Sequence, residues 1–121
     1  MQNPDRRVRR TQNKKQAITY YLQSCVLRLG VRGLVLGSKD GLVIAAAGDG
    51  VDPETAAAYA PFVFHDKWSY PEEVAAPYYV DAIPLADDTF YLFAVGNTSH
   101  ASLSPRAKGG IRRIIDEHLA A

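Results

Sequence analysis

Few side chains of this 121-residue chain have the types and spacing that do chemistry. The one nucleophile candidate is Cys25, the sole cysteine, and the bases that could activate it are His65, His100 and His118. A thiol becomes reactive when an imidazole takes its proton, and such partners meet in space rather than in sequence. Cys25, however, stands among apolar residues at helical spacing, where a free cysteine behaves as a small core hydrophobe. No histidine lies within metal-ligand spacing of the cysteine or of another histidine. Glu72-Glu73 and Asp87-Asp88 are adjacent pairs that point to opposite sides of an extended chain, which makes them poor acid–base dyads. They read as solvated loop and turn charges. Gly33, Gly37, Gly48 and Gly50 are too sparse for a phosphate-cradling loop, and no GxxxxGK[ST] motif is present. The expectation is no catalytic residue, no cofactor and no metal.

The charges are more telling than their sum. The net charge is +1, yet residues 1–16 hold six of the fourteen basic residues (Arg6, Arg7, Arg9, Arg10, Lys14, Lys15) against Asp5 alone. This basic arm has three readings. Residues 6–15 could meet nucleic-acid phosphates or an anionic membrane, since both attract an Arg/Lys cluster. The arm has no aromatic ring to stack on bases and no apolar face to enter lipid, so a solvating or partner-docking tail is favoured over either. Near the C-terminus, Arg112 and Arg113 lie opposite the Ile111/Ile114/Ile115 face. An arginine acting in trans on a bound phosphate is one use for them, and ordinary solvated charge is the commoner one.

The elements that must position these groups follow from periodicity. Residues 1–11 lack it, which predicts a basic flexible arm (1–11) ahead of a single domain (12–121). From Gln12 to Leu29 the apolar residues Ile18, Tyr21, Leu22, Cys25, Val26 and Leu29 recur at three and four, one face of a helix that Gly30 ends. Strands follow at about 31–37 and 41–47. Asp52-Pro53-Glu54 is a helix start, with Asp as cap and Pro at the first helical position. Pro61 limits that helix, and residues 61–77 fit a continued helix, a short strand or a packed loop equally. A second hairpin joins 78–85 to 89–96 across Ala86-Asp87-Asp88, with Pro84 favouring an edge position. After a polar loop, Ser104-Pro105 opens the last helix, whose regular start Gly109-Gly110 would delay to Gly110. One cysteine permits no internal disulfide, no apolar run nears the roughly 18 residues of a membrane span, and no signal core follows the basic start. These features predict a cytoplasmic protein.

The aromatic residues Phe62, Phe64, Trp68, Tyr70, Tyr78 and Tyr79 form the candidate partner-binding surface. Aromatic side chains bury large areas at interface hot spots, but they fill the cores of small domains at least as often. Asp40-Gly41 supplies a hairpin turn, because glycine accepts φ > 0 without steric cost.

Val31-Arg32-Gly33-Leu34-Val35-Leu36 and Ser38-Lys39-Asp40-Gly41-Leu42-Val43-Ile44-Ala45 resemble the opening strand, turn and second strand of the roadblock (dynein light chain, roadblock-type) domain family. Phe90–Gly96 and Arg106–Leu119 resemble its C-terminal third. The resemblance covers about residues 14–119 and is nearest to bacterial members that regulate small GTPases. It implies an α/β (α+β) layered, roadblock/profilin-like fold: a central antiparallel sheet of four to five strands flanked by three helices, in the order helix-strand-strand-helix-strands-helix. It also implies a non-catalytic homodimer that binds and regulates or positions a small Ras-like GTPase. Family members usually have a longer second helix followed by three strands, whereas the pattern here gives a shorter helix and two strands. The alternatives are a scaffold subunit without GTPase regulation, or a small-ligand sensor of profilin/PAS-like layout with the aromatic stretch lining its pocket.

Overall fold

A computed structural model describes residues 4–66, 69–71, 77–85, 88–96 and 105–119. The order is α1 (Pro4–Leu29), β1 (Gly33–Gly37), β2 (Val43–Gly48), α2 (Pro53–Asp66), β3 (Tyr78–Leu85), β4 (Asp88–Val95) and α3 (Pro105–Leu119). The four strands form one antiparallel sheet in the order β2-β1-β4-β3, so the two most buried strands are central and doubly paired.

Strand alternation divides the interior into two cores. Leu34 and Leu36 of β1 and Phe90, Leu92 and Ala94 of β4 face one side, where they pack with Ile18, Leu22 and Cys25 of α1 and Ile111 and Ile115 of α3. Val35, Tyr91, Phe93 and Val95 face the other side and meet Ala56, Ala57 and Ala60 of α2. A one-residue shift would exchange these two sets, so the pattern fixes the register. In β2 the pairing runs Leu36↔Ala45 and then Gly37↔Val43, which leaves Ile44 as the extra residue of a bulge.

Small residues let the second helix approach the first hairpin. A Cβ on Gly37 would sit 3.1 Å from the Ala57 Cβ, and one on Gly41 would sit 3.2 Å from the Ala58 Cα. Gly41 holds φ +83° in the turn, where its N–H donates to the Ser38 carbonyl at 3.0 Å. On the opposite face, Gly110 makes room for the Tyr21 ring between α1 and α3.

Several element boundaries differ from the expectation. The backbone is helical from Pro4, eight residues before Gln12, because Arg, Lys and Gln are good helix formers and Pro is suited to a first turn. Helix α2 runs through Pro61 to Asp66, since its buried alanines hold it on the sheet across the missing N–H. This resolves part of the 61–77 question in favour of a continued helix, and neither Ser69–Pro71 nor Pro77 is in a strand. Helix α3 starts at Pro105 and passes through Gly109-Gly110 unbroken; an amphipathic face packed on the sheet outweighs the glycine penalty. The sheet has four strands among the described residues, the lower end of the expected range. Trp68, Glu72, Glu73, Asp87, His100 and the 97–104 loop lie outside the described residues.

The α2 cap yields a pH test. Asp52 accepts hydrogen bonds from the Thr55 hydroxyl at 2.7 Å and the Thr55 N–H at 3.1 Å. Those bonds favour the ionised form and hold its carboxyl below the ordinary value. A depressed folded-state pKa contributes stability that is present above the unfolded value near 4 and lost as pH falls through the folded value. Asp52→Ala is therefore expected to lower the melting temperature at pH 7, with the gap to the parent closing below about pH 4. A gap independent of pH would remove the carboxylate from the explanation.

Candidate interaction surface

The five described aromatic candidates do not share one place. Tyr70, Tyr78 and Phe64 line the space between α2 and the sheet, where they join Tyr59, Tyr91 and Phe93. Tyr78 stacks on Phe93 at 5.3 Å with an interplanar angle of 11°, and Tyr70 tilts against Phe93 at 5.1 Å. The Tyr70 N–H donates to the Tyr78 hydroxyl at 2.9 Å, which ties the segment after α2 to the edge of the sheet. Phe64 lies 6.0 Å from Tyr91. Beside it, His65 Nε2 and the Tyr91 hydroxyl share a hydrogen bond of 2.6 Å that pins the last turn of α2 onto β4. In this group the aromatic side chains act chiefly as core.

Tyr79 follows Tyr78 in β3, so it points to the opposite face and packs with the α1/α3 core. Burial pushes its phenol up, and the carboxylate of Asp81 two residues along adds to the effect. Asp81 is itself buried in the edge strand, where Leu92 pairs with it. An inward-facing charge together with Pro84 on an edge strand discourages adventitious strand pairing.

Among the described candidates, Phe62 is the one that faces outward, with 44 % of its surface exposed. It stands one turn after Ala58, also exposed, and Ala58 is the residue that the Gly41 turn touches. Leu42 follows that glycine and is 68 % exposed. Leu42 beside the turn and Ala58 and Phe62 on α2 are thus exposed apolar residues of two elements that meet where the Gly41 turn approaches Ala58. Asp40, Glu54 and Asp66 are exposed on the same turn and helix, and Asp88 engages Lys39 at 3.8 Å. Sequence pattern missed Leu42 because it reads as the start of a strand. The available signal was a large aliphatic directly after a turn glycine.

Of the groups that could do chemistry, Cys25 is buried and receives a hydrogen bond from the Arg28 guanidinium at 3.4 Å on one side of the sheet, while His65 bonds the Tyr91 hydroxyl on the other. Arg28 also lies over the Tyr21 ring at 5.7 Å. Arg112 and Arg113 are exposed, beside an open cleft of about 350 Å³ that Leu85, Gly109 and Asp116 complete. No group of three or more metal-ligating side chains occurs among the described residues, and no described helix is long and apolar enough to cross a membrane.

No protein-family model matches the chain, and no curated protein matches it in sequence. Among solved structures, MglB of Myxococcus xanthus is similar, with a TM-score of 0.54 at 13 % identity over 87 % of this chain and 92 % of that one. At such identity the likeness speaks to architecture: three helices around a four-stranded antiparallel sheet, in the order of a roadblock-like α/β fold.

Proposed function

We propose that this chain is a non-catalytic interaction protein that binds a small Ras-like GTPase and regulates or positions it as a homodimer in the cytoplasm. The observation that carries this reading is the exposure of Leu42 beside the Gly41 turn and of Ala58 and Phe62 on the α2 helix that this turn approaches. Large apolar side chains left in water beside polar neighbours mark contact surfaces. The fold likeness to MglB, a GTPase-regulating protein, supports the choice of partner class. The mechanism is differential docking: a surface that fits one switch conformation of the GTPase better than the other shifts its population by the difference in affinity.

The test uses the purified chain with Ras-like GTPases of its own cell, each loaded with GDP or with a non-hydrolysable GTP analogue. Nucleotide-dependent affinity is the expected result, and equal or absent binding in both states would overturn the regulatory reading. Leu42→Asp and Phe62→Asp are expected to weaken the complex at least about tenfold, because each places a charge in a buried contact. Their melting temperatures should stay within about 3 °C of the parent, since both positions are exposed. Unchanged affinity in both variants would remove these residues from the contact.

A further inference from the structure

The charges are segregated by layer. Helices α1 and α3 contain eleven of the fourteen Lys and Arg and only three of the thirteen acids, Asp5, Asp116 and Glu117. The rest of the chain holds three basic residues and ten acids. The two helices that carry the excess positive charge pack side by side on one face of the sheet, with Gly110 against Tyr21. Lys15, Arg28, Arg112 and Arg113 are exposed there.

The same layer exposes two large apolar side chains. Tyr20 is 59 % exposed and Leu27 is 83 % exposed. They are seven residues apart, two turns of one helix, and so share a side, while Ile18, Leu22 and Cys25 are buried toward the sheet. The helical stripe predicted from sequence omits both. Leu27 contributes nothing to the core in this position.

We propose that the outward face of α1 and α3 is a docking surface for an anionic lipid bilayer. The arginines and lysines meet lipid phosphates and the negative surface potential, while Leu27 and Tyr20 enter the headgroup boundary, where leucine is desolvated and tyrosine keeps its hydroxyl wet. A nucleic-acid duplex offers the same negative charge but gives Leu27 no apolar phase, which is why lipid is favoured. This surface lies across the sheet from α2, so a membrane and a protein partner can be held together.

The experiment is sedimentation of the full chain with vesicles of phosphatidylcholine alone or with about 30 % phosphatidylserine. Binding is expected only with phosphatidylserine, and about 0.5 M NaCl should release most of the protein, because the Debye length then falls to a few ångströms. Arg112→Glu with Arg113→Glu, and separately Leu27→Ser with Tyr20→Ser, should each lower partitioning at least about fivefold, with the melting temperature checked for every variant. A random-sequence DNA duplex is run in parallel. Absence of phosphatidylserine-dependent binding would overturn the proposal. So would vesicle binding indifferent to the Leu27/Tyr20 pair, or binding to the duplex without binding to vesicles.

Discussion

Gly48→Ala is expected to leave little folded protein at physiological temperature. Gly48 ends β2 in the left-handed region at φ +76°. A Cβ there would overlap the Arg32 carbonyl oxygen and come within 2.9 Å of the Gly33 Cα. Both obstacles are backbone, so no rotamer change relieves them. The carbonyl in question accepts from the Asp49 N–H at 3.1 Å, and the Arg32 N–H in turn donates to Val95 at 2.7 Å. Moving Arg32 therefore disturbs β1, β2 and β4 at once. Left-handed strain on an L-residue costs of order 1–2 kcal/mol by itself. With lost hydrogen bonds and displaced backbone the total is roughly 3–5 kcal/mol, a large part of the ~5–15 kcal/mol that holds a domain together. The melting temperature should fall by more than about 10 °C, or the protein should become insoluble. Gly30→Ala is the control: φ is +67°, but a Cβ there meets nothing within 4 Å. It should lose only the backbone-strain part, about 1 kcal/mol. Similar melting temperatures for the two variants would mean that close approach at Gly48 is not what matters.

The second large effect separates the two uses of aromatic residues. Phe93 is fully buried between Tyr78 and Tyr70, and its removal leaves a cavity that neighbouring rings can only partly fill. Phe93→Ala is expected to cost about 3–5 kcal/mol, read as a shift of the urea midpoint at constant slope. Phe62→Ala removes the same atoms from an exposed position and should cost less than about 1 kcal/mol. The partner affinities should reverse that order once folded fractions are equalised. Equal destabilisation by the two substitutions would make Phe62 part of the core and take it out of the proposed contact.

The hairpin of β1 and β2 was legible because its information is local. A short continuous apolar run defines each strand, and Gly41 carries the positive φ that brings its N–H to the Ser38 carbonyl. The same holds for the start of α2, where Asp52 binds Thr55 three residues away. The length of α2 was not legible. Pro61 argues locally for an ending, and what carries the helix past it is packing of Ala56, Ala57 and Ala60 on β1 and β4. The proposed interaction surface was half legible. Phe62 stands among residues that sequence grouped by type, but adjacent strand residues such as Tyr78 and Tyr79 must part to opposite faces, and only the sheet decides which face is covered.

By itself the sequence determined the order of the elements, the α1 stripe that is buried and the absence of a phosphate-loop motif, while the layered α/β architecture was implied by the roadblock resemblance. The first three follow from hydrophobic period, turn chemistry and motif, which act over a few residues. Tertiary structure decided that Tyr70, Tyr78 and Phe93 are core while Phe62 and Tyr20 meet solvent. It brought the Gly41 turn against Ala58 of α2, and packed α1 and α3, the two helices richest in basic residues, on one side of the sheet. Those outcomes depend on which faces the sheet buries, and burial is a property of elements packed together, not of any segment of the chain read alone.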